Sequence, residues 1–471
     1  MILGGSSVRV GTMIATTVAT ACVTASAVAL EAPVPVVLLL STVGASLFAT
    51  LARVYWSAEG LLSVRGVFAV FFILTFVARP LQILRDGDSQ WIHSRDAIEA
   101  LLPFGLVLVQ IGIMSYWLGY SGRWSLARRL PAPTGLQRSS ISIVRLVGVA
   151  AIGACALLVL IGEPGLWISN LFYRRELLEG RFYLYLLAQT LPFACLAMAG
   201  TAFQQGRLAF PIVMVSAAAS VLAILGGRAV VVFAIFSGAV LYDRHVRRVP
   251  VIVLCGLVVF LGFFLATFLQ FRVSARGERS VEQVNWIAEQ GLPDAALRAG
   301  FTGVDRFIVL INGVPSEVPF QYGKTYLRVL AAPVPRQFWP GKPGLSEATV
   351  YADLFGAQKG IYPGSFIGDM YLNGHVIGVV LGMFVMGLVH RSLDQWRELH
   401  SDNASVTVIY AIAAATVGGG LGNVGIVNAL LLTLAFLAVV MSSRRWRRSV
   451  ADTPRISAGP LLGSSSGSGL C

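Results

Sequence analysis

The chain has 471 residues, of which 56% are hydrophobic and only 13% charged, and its formal net charge is +13. Its mean hydropathy of +0.74 is far above that of soluble domains, so the composition excludes an ordinary soluble protein. It indicates an all-α polytopic membrane protein, in which membrane topology and anionic lipids, rather than nucleic acid, account for the positive charge.

Twelve apolar runs are long enough, or nearly so, to form transmembrane helices, which need about 20 residues each. They lie near residues 10–30, 34–54, 62–79, 97–119, 143–162, 182–204, 208–226, 229–242, 249–270, 367–389, 403–418 and 424–442. The first run follows Arg9 and contains "ASA" at 25–27, so it is either an uncleaved first helix or a cleavable signal peptide. We expect the spanning segments to be nearly free of charge, with ionisable groups gathered at their outer ends.

These runs divide the chain into four parts. Residues 1–270 carry transmembrane helices 1–9, and residues 271–366 form one long extracytoplasmic loop. Residues 367–442 carry helices 10–12, and residues 443–471 form a flexible cytoplasmic tail that ends in low-complexity sequence. The five cysteines have no metal or redox spacing, so we assign them no function beyond packing.

The distribution of arginine predicts which side of the membrane each loop faces. With the N-terminus in the cytoplasm and alternating helices, the basic clusters "DRHVRR" at 243–248 and "RRWRR" at 444–448 lie inside. The whole formal net charge of +13 then falls on the cytoplasmic side, as the positive-inside rule requires. We therefore expect a multi-pass membrane protein with both termini in the cytoplasm.

The long loop exceeds the length of a connector and is expected to fold as a small subdomain. Helical signals occur at 280–291, which begins with a Ser-x-x-Gln capping pattern, at 303–313, which has apolar residues at helical spacing, and at 322–332, which precedes two prolines. We expect these short helices to lie on the membrane surface or to cover a cavity.

The stretch "APVPRQFWPGKP" at 332–343 stands near the end of this loop. Its four prolines favour extended backbone geometry, so Arg336 and Lys342 would project from a stiff strap that Phe338 and Trp339 seat at the membrane interface. Two interpretations stay open. The cations of the strap bind a specific anion, or they meet lipid headgroups only.

The strap and the following "YPGSFIGDMYLNGHVIGVVLGMFVMG" at 362–387 resemble the Wzy-type O-antigen polymerases, also called oligosaccharide repeat unit polymerases. In that family a Pro/Arg/Trp/Lys segment ends the long outer loop, and a Gly-rich helix re-enters the membrane. The stretch "LGGRAVVVF" at 225–233 is similar to another family feature, a Gly-rich turn with an arginine at the outer end of a helix. The resemblance covers these segments and the topology.

The resemblance implies a GT-C-like glycosyltransferase of the bacterial cytoplasmic (inner) membrane that acts on polyprenyl-pyrophosphate-linked oligosaccharides. We predict no cofactor. A growing glycan would be transferred from its lipid pyrophosphate to the incoming lipid-linked unit, with release of polyprenyl pyrophosphate. A separate flippase and a chain-length regulator are the implied protein partners, and the lipid bilayer is the implied surroundings.

Such a reaction needs cations at headgroup depth, because the leaving pyrophosphate develops negative charge. The candidates on the outer side are Arg228 in the Gly-rich turn, Arg336 and Lys342 on the strap, and Arg272 and Arg276 at the end of helix 9. Each residue also has a purely structural interpretation as a snorkelling, helix-end or headgroup-facing cation.

The acceptor hydroxyl needs a base, and Asp369 and His375 lie at the outer entrance of helix 10. Asp369 either forms a salt bridge with an arginine such as Arg228 or acts chemically, and His375 is either a base or a packed polar residue. In "RDGD", Asp86 and Asp88 could share a cation. They are better explained as an acidic turn, so we predict no metal site.

Two other functions stay open. An O-antigen ligase shares the architecture and the leaving group and differs in its acceptor, which the sequence does not distinguish. A transporter or flippase of lipid-linked glycans would be expected to line a central path with charges and to show repeat symmetry between its halves, and neither feature is visible in the sequence.

Overall fold

The computed structural model describes residues 5–57, 60–89, 91–122, 125–127, 143–162, 182–226, 228–275, 291–330, 338–339, 341, 350, 352–355, 365–400 and 404–417. Within these residues the chain forms helices, turns and loops and no strand, which confirms an all-α fold for this part of the chain. The predicted helix at 280–291, the apolar run at 424–442 and the tail at 443–471 lie outside the described residues.

We number the helices in chain order. They are α1 (Gly5–Ala29), α2 (Val34–Trp56), α3 (Val64–Ile73), α4 (Arg79–Asp86), α5 (Arg95–Ser121), α6 (Ile143–Ile161), α7 (Phe182–Ala188), α8 (Thr190–Gln204), α9 (Ala209–Gly226), α10 (Arg228–His245), α11 (Val251–Ala275), α12 (Leu292–Gly300), α13 (Gly303–Gly313), α14 (Lys324–Leu330), α15 (Ser365–Leu399) and α16 (Ala404–Val417). A π-helical turn, Leu74–Ala78, joins α3 to α4, and a short 3-10 helix, Ala352–Phe355, precedes α15.

Each of the first eleven apolar runs coincides with one helix or with consecutive helices. Among the described residues, five stretches are long and apolar enough to cross a membrane: Val10–Ala29, Val34–Trp56, Val64–Asp86, Arg95–Ser121 and Ser365–Leu399. The apolar segments within α6, α8, α9 and α11 are shorter. The helices therefore fit a membrane-embedded protein, and the count of twelve spans stays a prediction.

The bundle is tightest where α5 crosses α15. A Cβ atom added to Gly119 would lie 2.0 Å from the carbonyl oxygen of Phe384, and one added to Gly387 would lie 2.1 Å from that of Tyr116. Glycine at these positions lets the two helix backbones touch, as small residues do in membrane bundles. The α5–α15 pair is thus the rigid frame on which the neighbouring segments are placed.

Helix α13, from the long loop, is part of the bundle core. Phe307 and Ile308 are fully buried, and a Cβ atom on Gly105 of α5 would lie 3.3 Å from the Phe307 ring. The expectation of surface helices is therefore wrong for α13, whose apolar side packs in the same core as α5 and α15. The predicted ranges at 303–313 and 322–332 are matched by α13 and α14, whereas α12 was not predicted.

Helix α15 contains a reversal of the chain at Gly374 and His375, which have non-helical dihedral angles. In a continuous helix Met370 and Gly382 would be about 18 Å apart, yet a Cβ atom on Gly382 would lie 2.5 Å from the Met370 sulfur. Residues 365–373, the short arm, therefore fold back along residues 376–399, the long arm. Helix 10 was expected at 367–389, so the observed helix extends ten residues further.

The helix bundle has two ends, which we call the loop end and the far end. The loop end holds α12, Asp86 and the start of α5, and the far end holds Trp56, Ser121 and the end of α15. This assignment follows from side-chain contacts along the bundle: Arg95 donates a hydrogen bond to the Leu30 carbonyl at one end, and Arg391 donates one to the Tyr120 carbonyl at the other.

Candidate functional site

An elongated cavity of about 530 Å³ follows the reversal in α15. The short arm contributes Phe366, Asp369, Met370 and Asn373, the long arm contributes Gly378, Leu381, Gly382, Val385, Met386 and Val389, and the loop contributes Gly323 and Tyr326. The cavity is a groove open to the outside of the bundle, because Leu381 and Val385 are 60% and 53% exposed. In a spanning helix an exposed apolar face meets lipid chains, so the groove opens toward the bilayer.

Glycine in the long arm creates the shape of this groove. A Cβ atom on Gly378 would lie 2.3 Å from the carbonyl oxygen of Met370, a distance that no real side chain adopts. Gly382 faces the Met370 side chain in the same way, one turn further along. The Gly-x-x-x-Gly spacing therefore lets the short arm lie directly on the long arm, and the groove runs beside their line of contact.

Asp369 is the one carboxylate among the described lining residues of the groove. Its side chain is 2% exposed, and the lining around it is otherwise almost wholly apolar. Its backbone carbonyl accepts a hydrogen bond of 2.8 Å from the Asn373 amide, one helical turn along the short arm. A carboxylate held in such surroundings is either paired with a cation or poised to take a proton.

The segment at 320–326 closes the loop end of the groove. The backbone N–H of Gln321 donates a hydrogen bond of 2.9 Å to the Leu372 carbonyl, and the Thr325 hydroxyl donates one of 2.9 Å to Oδ1 of Asn373. Both bonds attach the loop to the tip of the short arm. This part of the loop therefore covers a cavity, as predicted for the helix at 322–332, and it brings Tyr326 to the groove.

His375 lies outside the described lining of the groove. It occupies the reversal itself with a φ of 56°, and its exposed ring contacts the rings of Phe320 and Tyr371 at 5.3 and 5.4 Å between centroids. The structure thus separates the two predicted bases: Asp369 lines the groove, and His375 packs on aromatic residues at its tip.

The predicted cations are only partly described. Arg228 is the first residue of α10 and lies two positions after the end of α9, and Arg272 lies in the last turn of α11, but their side chains lie outside the described residues. Arg276, Arg336 and Lys342 lie outside them altogether. Phe338 and Trp339 of the strap are 81% and 44% exposed, and their position at a membrane interface stays a prediction.

The "RDGD" segment forms a turn. Gly87 ends α4 with a φ of 66°, the left-handed conformation that glycine adopts most readily at a helix end. Asp86 forms ion pairs with Arg85 and with Arg298 of α12, and Asp88 pairs with His93 at 2.7 Å. Within the described part of the chain, no group of three potential ligands is placed to hold a metal ion.

A buried polar cluster at the far end was missed by sequence reasoning. Tyr120 donates a hydrogen bond of 3.0 Å to Asp394, Tyr410 donates another to the same carboxylate, and the Val64 amide donates one of 2.8 Å to the Tyr410 oxygen. The guanidinium of Arg397 stacks over Tyr410 at 4.3 Å. The cluster thereby ties α3, α5 and α16 to the last turns of α15.

This cluster corrects the expectation of nearly charge-free spanning segments. His390, Asp394 and Arg397 are at most 2% exposed within α15, and Arg79 is 2% exposed within the stretch Val64–Asp86. The apolar run ended at residue 389, so these residues were assigned to a loop. The available signal was the four-residue spacing of Tyr116 with Tyr120 and of His390 with Asp394, which places each pair on one helix face.

Comparison with known proteins gives one match. Residues 168–400 match a family model described as Domain of unknown function (DUF8712). The matched region runs from before α7 to the end of α15, so it contains the described loop helices, the reversal and the groove. No curated protein and no solved structure matches the chain.

Proposed function

We propose that the protein is a membrane glycosyltransferase that polymerises polyprenyl-pyrophosphate-linked oligosaccharide repeat units at the outer face of the cytoplasmic membrane. The growing glycan is transferred from its lipid carrier to the terminal sugar of an incoming lipid-linked unit, and polyprenyl pyrophosphate is released. The resemblance carried by residues 333–343 and 362–387 suggests this reaction.

The observation that supports the proposal most is the groove along α15. A lipid-linked glycan has a long apolar tail, and its reacting bonds lie at the membrane surface. An enzyme for it needs an apolar channel that is open to the bilayer and leads to a polar reacting group. The groove combines these features, since Leu381 and Val385 are exposed on its outer side and Asp369 is buried in its wall.

In the proposed reaction Asp369 is the general base. It takes the proton from the acceptor hydroxyl as that oxygen attacks the anomeric carbon of the donor sugar. A new carbon–oxygen bond forms, and the bond between the anomeric carbon and the pyrophosphate oxygen breaks with its electron pair. The pyrophosphate leaves with the added negative charge, and Arg228, Arg336, Lys342, Arg272 and Arg276 are the candidates to stabilise it.

Deletion of the gene in its native bacterium tests the proposal. The deletion strain is expected to carry surface glycan of single repeat units, and the wild-type gene is expected to restore long chains. A gene that encodes Asp369→Asn should leave the surface glycan as single repeat units. Immunoblots of the membrane fraction should show this variant at the wild-type level. Unaltered chain length in the deletion strain would overturn the proposal, and long glycan that stays on the lipid carrier would identify a ligase.

A flippase of lipid-linked glycans is the second candidate. It is favoured by the buried cluster around Asp394, because ionisable residues inside a membrane often belong to transport pathways. A flippase defect leaves lipid-linked units in the cytoplasmic leaflet, whereas a polymerase defect leaves them exposed outside. Labelling of intact deletion cells with a sugar-specific lectin therefore separates the two functions, and unlabelled cells would support the flippase.

A further inference from the structure

A second cavity, of about 560 Å³, lies between α1 and α2 at the far end. Its wall carries the hydroxyl groups of Thr12, Thr16 and Thr17 together with Arg53 and Trp56. The hydroxyl of Ser57, also in the wall, donates its hydrogen bond of 2.8 Å to the Val54 carbonyl. No carboxylate is among its described lining residues. The cavity therefore offers a cation and several hydrogen-bond donors, which is the chemistry that binds an oxyanion.

Arg53 is exposed beside this cavity and contacts the Trp117 ring, which is itself fixed by hydrogen bonds. Its guanidinium lies 5.6 Å from the centre of the Trp117 ring. The Trp117 indole N–H donates a hydrogen bond of 2.8 Å to the Thr50 hydroxyl, which itself donates one of 2.8 Å to the Ser46 carbonyl. A cation that is already positioned loses less entropy when it binds an anion.

Thr16 of α1 adds a donor that the described part of the protein leaves unused. Oγ1 of Thr16 is buried and has no hydrogen-bond partner among the described residues. A buried hydroxyl without a partner costs free energy, and a ligand that accepts its hydrogen bond removes that cost. A Cβ atom added to Gly11 of α1 would lie 3.2 Å from the Trp56 ring of α2. This close contact between α1 and α2 fixes the cavity wall.

The position of the cavity identifies the source of the anion. The candidate spans Val10–Ala29 and Val34–Trp56 have their far ends at the cavity, and Tyr55 and Trp56 form an aromatic pair there with ring centroids 4.8 Å apart. Tyr and Trp mark the depth of lipid headgroups. Helix α1 is also the least covered of the five candidate spans, with 11% of its apolar window buried, so lipids reach the cavity directly.

We infer that this cavity is a binding site for the phosphate of an anionic phospholipid from the adjoining leaflet. Arg53 pairs with the phosphate, and the Thr16 hydroxyl donates to one of its oxygens. Trp56 lies against the headgroup, and the acyl chains follow the exposed side of α1. This site is independent of the groove and of the reaction proposed for it, because the two cavities share no described lining residue and lie on different helices.

Native mass spectrometry of the full-length protein tests the site. The protein is titrated with phosphatidylglycerol and, in parallel, with zwitterionic phosphatidylcholine. Wild-type protein should bind one phosphatidylglycerol more tightly than any phosphatidylcholine. Arg53→Gln should weaken that binding about tenfold, as expected for the loss of a charge-assisted hydrogen bond, and Thr16→Val should weaken it by a smaller factor.

Arg207→Gln is the matched control, since Arg207 is an exposed arginine that lies outside the described wall of the cavity. Unchanged phosphatidylglycerol binding in Arg53→Gln, with the same thermal midpoint as the wild type, would overturn the inference. Inorganic phosphate that displaces the lipid at equal concentration would also overturn it, because the cavity would then be a site for free phosphate.

Discussion

Arg79 and Asp305 form a two-pronged ion pair that is almost completely buried. Nε of Arg79 donates to Oδ2 at 3.0 Å and Nη2 donates to Oδ1 at 2.7 Å, while Nη1 donates to the Gln82 amide oxygen at 2.5 Å. The two residues are 2% and 0% exposed. The pair fastens the loop helix α13 to the transmembrane helices, directly after the π-helical turn, and α13 in turn packs against the short arm at Gly368.

Loss of this ion pair is expected to destabilise the packing of α13 against the transmembrane helices. Removal of one partner leaves the other charge buried, so Asp305→Ala should lower the free energy of unfolding by about 3–5 kcal/mol. The measurement is unfolding of the purified protein by SDS titration in mixed micelles. The control is Arg85→Ala, whose ion pairs are exposed and should contribute no more than about 1 kcal/mol. Equal stability of Asp305→Ala and the wild type would show that the pair does not hold the loop.

The packing of the two arms of α15 predicts the effect of a single added methyl group. Gly378→Ala should lower the free energy of unfolding by about 1–3 kcal/mol, because the new methyl collides with the Met370 carbonyl. It should also shorten the glycan made in cells. Gly256→Ala in α11 is the control, since nothing lies within 4 Å of its added Cβ and alanine favours a helix. A harmless Gly378→Ala would contradict the close contact of the arms.

The two predicted bases should differ in their effect on polymerisation. Asp369→Asn removes the proton acceptor and is expected to lower the rate roughly 100-fold or more. His375→Ala should lower it less than tenfold, because His375 lies outside the described groove wall. Rates of chain growth in membranes from complemented cells give the comparison, with Asp88→Asn as an exposed acidic control. The reverse order of effects would move the base to His375.

The cluster at the far end is expected to stabilise the fold. Asp394→Ala leaves two buried hydroxyl groups without their acceptor and should cost about 3–5 kcal/mol in the free energy of unfolding. Tyr120→Phe should cost about 1–3 kcal/mol, because only one bond to the carboxylate is lost. The exposed Tyr55→Phe should stay within about 0.5 kcal/mol of the wild type. A transport role would instead appear as a functional loss in Asp394→Asn with unchanged stability.

The sequence predicted helix positions well because apolar runs mark them directly. The range 303–313 was predicted to the residue, and α2, α5, α6 and α9 differ from their runs by at most two residues at either end. The sequence did not predict the features that depend on tertiary contacts. The reversal at Gly374 and His375 lies inside one apolar run, and the burial of Arg79 and Asp305 depends on two residues that are far apart in the chain.

Of the candidate site, the sequence indicated one lining residue, Asp369, but not the groove that it lines. Asp369 stood out because a carboxylate inside an apolar run is costly and needs a reason. The groove beside it arises because Gly378 and Gly382 face Met370 across the reversal, a relationship that glycine spacing alone does not reveal. The predicted cation set stays a prediction, since the side chains of Arg228, Arg272, Arg276, Arg336 and Lys342 lie outside the described residues.

The central claim is that the groove holds the lipid of a lipid-linked glycan during polymerisation. Two neighbouring exposed residues on the long arm allow a direct test: Leu381 lines the groove, and Ile377, one turn away, lies outside its described wall and is 70% exposed. The tryptophan side chain of Leu381→Trp should block the groove, whereas that of Ile377→Trp should contact only the surrounding lipid.

The measurement is polymerisation by the purified protein in lipid nanodiscs supplied with the polyprenyl-pyrophosphate-linked repeat unit of its own bacterium. We expect the wild type and Ile377→Trp to form chains and to release one polyprenyl pyrophosphate for each linkage. Leu381→Trp should form none. Chains formed equally well by Leu381→Trp, or no chains from the wild type, would contradict the account.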